Sequence, residues 1–194
     1  MSEFIDGLKA RPIIAAVRDS ASLEAACRSN ANVIFLLGGR LLELEDWVGR
    51  AHEQGKRVLL HLDLCEGLGR DAAAVAYCAA RIRPDGVIST RAPLIKCADE
   101  CGLETVQRMF LMDSQSFVSG VKLLKNSPCA LVEVLPGLVP KAISFIGAEL
   151  GRPVIAGGMI TTRAEVEQAL SAGAVAVSTS CAYLWDEIVE SRES

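Results

Sequence analysis

Two apolar runs near the end of the chain stop in residues suited to holding an anion. Val154-Ile-Ala156 opens into Gly157-Gly158, and Val175-Ala-Val177 opens into Ser178-Thr179-Ser180. Glycines let a backbone approach a ligand closely and take φ > 0. Amides at a loop or helix start aim their N–H groups at negative charge. Together the two stretches predict a phosphate site built from successive strand-to-helix loops.

Other residues capable of chemistry fall inside or at the ends of similar apolar runs. Glu133 is set within Leu131-Val-Glu-Val-Leu135, and a carboxylate rarely enters such a run without a partner. Arg108, in the run before it, is the candidate: the two form either a structural ion pair or a pair that a ligand also uses. His61 and Asp63, two apart, share one face of a strand. His61 reads first as a core imidazole, while Asp63 suits either a loop cap or an acceptor for ligand hydroxyls. Arg91, Arg18 and Arg108 can each supply a guanidinium for bidentate contact with phosphate, with Arg91 favoured. Asp113-Ser114 reads as a helix cap, and Gly38-Gly39 and Gly67 as turns.

These residues need a scaffold, and the spacing of the apolar runs supplies one. Eight candidate strands occur: Ile13 to Val17, Val33 to Leu37, Val58 to Leu62, Gly86 to Ile88, Thr105 to Leu111, Ala130 to Leu135, Val154 to Ala156 and Val175 to Val177. Their starts lie roughly 18 to 28 residues apart, the length of a strand, a loop and a helix, so successive strands are expected to be parallel. Between them, Ser20 is placed to cap a helix through Leu23 and Ala26. Glu43 to Gln54 carries Leu44, Trp47, Val48 and Ala51 on one face before Gly55, and Asp71 to Ile82 is alanine-rich ahead of Pro84. A helix holding Phe117, Val118, Val121 and Leu124 follows Asp113, and Thr162 with Glu165 forms a capping box for a helix that Gly173 closes. Eight strands, each followed by a helix, predict an α/β chain folded as a single closed (β/α)8 TIM barrel of minimal size. The rival, an open doubly wound sheet, lacks the Gly-x-Gly-x-x-Gly turn after the first strand. In a barrel the chemistry sits at the C-terminal strand ends, and the Gly-Gly and Ser-Thr-Ser loops become the seventh and eighth, where sugar-phosphate barrels hold their phosphate.

Composition agrees with this picture and removes several classes of function. The 194 residues, 51% of them hydrophobic, suit one domain over residues 1–194, with the first strand from about Ile13 and a polar tail from about Glu190. No apolar run approaches the roughly 20 residues that span a bilayer, and Met1 to Pro12 has no signal-peptide character, so a soluble cytoplasmic protein is expected. Seven cysteines with only two histidines and no Cys-x-x-Cys predict small core residues in a reducing compartment and no metal site. A net charge of −4 implies no global attraction to nucleic acid, although a local patch assembled by folding stays open.

The ordered set of motifs resembles a known family. Phe35-Leu-Leu-Gly38, His61-Leu-Asp-Leu-Cys-Glu-Gly67, Asp85-Gly-Val-Ile-Ser-Thr90, Gln107-Arg-Met-Phe110 with Asp113-Ser114, Glu133-Val-Leu-Pro-Gly137, Ile155-Ala-Gly-Gly158 and Ser178-Thr-Ser180 with Leu184-Trp185 resemble the glycerol-3-phosphate responsive antiterminators. The resemblance runs from the first strand to Trp185. It implies a barrel that binds glycerol 3-phosphate and acts on leader mRNA so that transcription passes a terminator. Carried over by position, Gly157, Gly158, Ser178, Thr179, Ser180 and Arg91 would hold the phosphate. Asp63 and Glu133 would lie near the glycerol hydroxyls, with Arg108 positioning Glu133. Arg91 stands where lysine is expected, which keeps the charge and changes its geometry. The resemblance implies no cofactor beyond the effector and no catalytic residue; a homo-oligomer is compatible with it.

Two other functions compete. The first is an isomerase or lyase on a small phosphorylated substrate, with Asp63 and Glu133 as acid and base. Schiff-base chemistry is disfavoured, because none of Lys9, Lys56, Lys96, Lys122, Lys125 and Lys141 falls on a strand end. The second is a ligand sensor whose partner is a protein rather than RNA.

Overall fold

The computed structural model describes residues 3–188. Eight parallel strands close into a barrel in sequence order: β1 (Ile13–Val17), β2 (Val33–Leu36), β3 (Arg57–His61), β4 (Gly86–Ser89), β5 (Glu104–Phe110), β6 (Leu131–Leu135), β7 (Val154–Gly157) and β8 (Ala174–Thr179). The β8–β1 pairing closes the ring, with Ile13 opposite Val177 and Ala15 opposite Thr179. The helices are α1 (Glu3–Ala10), α2 (Ser20–Arg28), α3 (Leu41–Glu53), α4 (Ala72–Tyr77), α5 (Ala92–Glu100), α6 (Ser114–Lys125), α7 (Pro140–Leu150) and α8 (Arg163–Ser171). The expected polar tail from Glu190 lies outside the described residues.

The expected alternation holds with its helices displaced by one place. A helix precedes β1, and among the described residues after β8 there is only a 3-10 turn, Ala182–Asp186. Helix α1 is short and charged, which hid it, but Phe4, Ile5 and Leu8 fall on one face and are buried. They join inward-facing Ile14, Phe35, Leu59, Ile88, Val106 and Ile155 in one apolar cluster, so α1 closes the N-terminal end of the barrel. Arg57, at the start of β3, fixes the lid by pairing with Glu3 at 3.2 Å and stacking on the Phe4 ring at 5.8 Å.

Local starts and stops follow the side-chain chemistry, with corrections. Asp19 rather than Ser20 caps α2, its carboxylate accepting from the Ser22 amide at 2.8 Å. Helix α3 begins at Leu41, two residues before Glu43, whose carboxylate reaches back to the Arg40 amide at 3.2 Å. The alanine-rich segment starts at the Asp71 cap as expected, yet loosens after Tyr77 into a π-helical turn over Cys78–Ile82. Asp113 caps α6, and the Thr162–Glu165 capping box opens α8. Gly173, at φ +97, sits in the left-handed conformation that ends the helix.

Candidate functional site

Inward-facing positions alternate along each strand, and the polar ones form a single layer above the apolar floor. Leu59 is followed by His61, Val106 by Arg108, Leu131 by Glu133, Ile155 by Gly157 and Ala176 by Ser178. Register brings the layer together, since Arg108 is opposite Glu133 and Gly157 is opposite Ser178. Glu133 is fully buried, and both its oxygens are engaged. Oε2 accepts from Arg108 Nε at 2.6 Å, and Oε1 accepts from the Ser178 hydroxyl at 2.6 Å. A buried carboxylate is tolerated only when its lone pairs are satisfied in this way. The pair expected from sequence therefore exists and is extended by a hydroxyl from β8.

Gly157 is required by this network rather than by its backbone angles. A Cβ added there would stand 2.5 Å from Glu133 Oε1 and 2.6 Å from Ser178 Oγ, in the space that their hydrogen bond occupies. Gly157→Ala is expected to force the two apart and to cost about 1–3 kcal/mol, as overpacking does. Urea unfolding checks this, and a loss under ~0.5 kcal/mol would show that the network gives way freely. Gly158, one residue on, has φ +73, and Met159 follows at φ +64, so the seventh loop turns through two successive left-handed residues.

Above the layer opens a pocket of about 150 Å³. Drug-sized sites span roughly 300–1,000 Å³, so this one suits a ligand of few heavy atoms. Its floor holds Arg108, Glu133 and Ser178, and its wall holds Gly158, Ser180 and Arg18. The seventh and eighth loops thus meet at one pocket, as their position in the barrel led one to expect. Within it Thr179 has a separate task. Its hydroxyl donates to the Ile160 carbonyl at 2.7 Å and accepts from the Cys181 amide at 3.0 Å, while its carbonyl accepts from Trp185 Nε1 at 2.8 Å. The Thr161 and Thr162 amides are also committed, to Glu165 Oε2 at 2.8 and 2.9 Å. The other backbone lining the pocket on this side is the Gly158–Ile160 stretch and the end of β8.

The arginines divide differently from the expectation. Arg91 lies against Asp63, Nε to Oδ1 at 3.0 Å, and Asp63 Oδ2 accepts from the Ser89 hydroxyl at 2.8 Å and the Thr90 amide at 3.1 Å. Asp63 thus ties the third loop to the fourth, and Arg91 is not among the pocket-lining residues. Arg18 is. Its guanidinium is exposed and makes no ion pair among the described residues. The first two loops pack closely because Gly38 has no side chain, and a Cβ there would stand 2.8 Å from the Arg18 carbonyl.

His61 completes the inner layer. It is 2% exposed, its Nδ1 has no hydrogen-bond partner, and Asp63 Oδ2 is 3.9 Å away. Burial, with the Arg108 guanidinium adding to it, pulls its pKa down to about 4. The imidazole is neutral at physiological pH and adds no charge beside Arg108. Among the described residues no group of His, Cys, Asp and Glu side chains is arranged to hold a metal, and no helix is long and apolar enough to cross a membrane.

Comparison with known proteins places the chain. Residues 13–185 match the family described as glycerol-3-phosphate responsive antiterminator. The glycerol uptake operon antiterminator regulatory protein from Listeria monocytogenes superposes with a TM-score of 0.87 at 35% identity, over 90% of this chain and 95% of that one. A glycerol uptake operon antiterminator-related protein from Thermotoga maritima gives 0.81 at 32%, over 90% and 98%. An uncharacterised Escherichia coli K12 protein, YgcP, is 33% identical over 92% of this chain and 93% of its own length. With the closed barrel and the match spanning β1 to Trp185, the chain belongs to the glycerol-3-phosphate responsive antiterminator family.

Proposed function

We propose that the protein senses glycerol 3-phosphate in the pocket between the seventh and eighth loops and, when loaded, acts on leader mRNA to carry transcription past a terminator. The observation that carries the ligand assignment is the meeting, in one small pocket, of the Gly158 and Ser178–Ser180 backbone, the unpaired Arg18 guanidinium and the Arg108–Glu133 pair. The phosphate takes the Gly158 and Ser178–Ser180 side, with Gly157 beneath it giving room to the Glu133–Ser178 bond and not lining the pocket, and Thr179 positions the eighth loop through its bonds to Ile160 and Cys181. The glycerol hydroxyls face Glu133 and Arg108, with Asp63 and its partner Arg91 on the far rim. Arg18 takes the phosphate charge in place of Arg91, because Arg91 is occupied by Asp63. A cytoplasmic location follows from this role at the transcript.

Sensing is favoured over catalysis by the state of the carboxylates. Glu133 is held as an ion pair by Arg108, each of its oxygens already accepts a hydrogen bond, and no lysine lines the pocket. The expected result is a thermal shift. At ~100 times the dissociation constant a ligand stabilises by about 2.7 kcal/mol, which is roughly 5–11 °C for a domain of this size. Glycerol and inorganic phosphate serve as controls in the same scan. A flat scan with millimolar glycerol 3-phosphate sinks the ligand assignment, and turnover of that compound, lost in Asp63→Asn, would make the protein an enzyme instead. Arg18→Gln is expected to remove most of the shift and Arg91→Gln to keep it. The reverse result would return the phosphate to Arg91.

A further inference from the structure

We infer that the transcript is held by the arginine-bearing half of the barrel mouth, formed by the first four strand-to-helix loops; this rests on the RNA partner proposed above. Each of these loops carries one exposed arginine: Arg18 after β1, Arg40 after β2, Arg70 after β3 and Arg91 after β4. Strands β1 to β4 are neighbours in the barrel. With strands about 4.8 Å apart, the four loops leave the barrel along an arc roughly 15 Å long. The whole chain carries a net charge of −4, so this concentration of positive charge is local.

The acids of the same loops do not cancel the arc. Asp19 and Asp71 turn into helix caps, accepting from the Ser22 and Ala74 amides at 2.8 Å each. Glu43 is bonded to the Arg40 amide. Asp63 is recessed, its side chain 13% exposed. Two carboxylates approach the arc: Glu66 stands 3.9 Å from Arg40 with both side chains about three-quarters exposed, a contact that is weak and screened by salt, and Asp63 pairs with Arg91 at 3.0 Å, offsetting part of its charge while leaving that side chain 51% exposed. Guanidinium is the side chain best matched to phosphate oxygens.

The arc is also rigid before anything binds. The second and third loops are bonded through Leu41 N to Glu66 O and Glu66 N to Gly39 O, both at 2.9 Å. Asp63 anchors two of the four arginines, its carbonyl accepting from Arg70 Nη2 at 3.1 Å and its carboxylate pairing with Arg91. Groups already held in place lose less freedom on binding. The other half of the mouth exposes large apolar side chains among polar ones such as Lys141, Thr161 and Thr162. Phe110 at the end of β5, Met112 just beyond it, Met159 after β7 and Tyr183 after β8 are 50%, 84%, 71% and 58% exposed. Phosphates on one side and unpaired bases on the other fit a single strand, whose bases stack on such side chains. A duplex keeps its bases stacked inside and has no use for that half. Arg18 belongs to both the effector pocket and the arc, which couples the two ligands at one residue.

The test uses the full chain, a fluorescein-labelled leader transcript of a glycerol uptake operon, and anisotropy titrations from roughly 50 to 200 mM salt. Removing one arginine that neutralises a phosphate of a single strand lowers the salt slope by about 0.7. Arg40→Gln with Arg70→Gln is expected to reduce it by about 1.4 and to weaken binding roughly 25-fold near 0.1 M salt. The same variant keeps the glycerol 3-phosphate thermal shift, showing that it is folded and still binds effector. Arg81→Gln with Arg83→Gln, on the opposite end of the barrel ahead of β4, binds RNA as the parent does. If the parent binds and the Arg40/Arg70 variant binds equally well, or the Arg81/Arg83 variant is the one that weakens, the surface is wrong and the RNA partner stands. If the parent binds no transcript with or without effector, the RNA reading itself fails and this surface falls with it.

Discussion

Glu133→Ala is expected to lose about 3–5 kcal/mol of stability and the effector response together. The substitution leaves Arg108 charged, 7% exposed and without the carboxylate that accepts from its Nε at 2.6 Å. It also strips the Ser178 hydroxyl of its acceptor. Glu133→Gln preserves the shape and an acceptor for Ser178 but still abandons the charge, so most of the loss is expected to remain. The informative contrast is the double change Arg108→Met with Glu133→Leu. Replacing both members of a buried pair by apolar groups of similar size is often neutral or stabilising, so stability is expected to return. The thermal response to glycerol 3-phosphate is not, because the pocket floor has lost its polar groups. Urea midpoints at constant m-value read the first quantity, and thermal scans with effector read the second. A double variant that still responds would show that the pair serves the fold alone, and a Glu133→Ala loss below ~0.5 kcal/mol would contradict its burial.

The second large effect is a loss of stability in mild acid traceable to one side chain. The folded His61 imidazole titrates at about 4, against an ordinary value of 6.5. Above pH 6.5 both folded and unfolded states hold it neutral, and its contribution is fully present. As pH falls from there towards 4, the unfolded chain takes up a proton that the native state refuses, and stability drops. At ~1.4 kcal/mol per pKa unit the loss approaches roughly 3 kcal/mol. Carboxylates held low by helix-cap hydrogen bonds, Asp19, Asp113 and Glu165, also lose stability as they protonate. The difference between the parent and His61→Gln therefore isolates the imidazole. Urea unfolding of both, from neutral pH down to about 4, is expected to show the parent falling faster. Parallel pH curves would mean that His61 is solvated or paired in the folded state.

What the residues revealed in advance, and what they hid, have separate causes. Glu133 announced itself because a carboxylate with two apolar residues on either side has to find a partner, and Arg108 lay in the neighbouring run. The Gly157-Gly158 and Ser178–Ser180 loops were legible because strand counting made them seventh and eighth. Thr162 with Glu165 and the Asp113 cap were readable because caps are local, made within three residues, although the partner of Asp113, Ser116, came only from the structure. Helix α1 was missed because its signal is distant. Phe4, Ile5 and Leu8 make sense only against the inner faces of strands they close.

The division among the arginines is of the same kind. Arg91 and Arg18 both stand at strand ends, and nothing in their order says that Asp63, from β3's loop, reaches Arg91 and leaves Arg18 free. The role of Gly157 was equally concealed. A glycine after a strand suggests a turn, whereas this one is excluded from having a side chain by Glu133 and Ser178, 24 and 21 residues away in sequence. The barrel, its eight strands and the place of the Gly157-Gly158 and Ser178–Ser180 loops in it were legible in the residues alone, because periodicity, caps and strand order act over short stretches. Which guanidinium lines the pocket, why Gly157 admits no side chain and which arginine-bearing loops become neighbours came from the folded chain. Those outcomes depend on neighbours that meet only once the ring has closed.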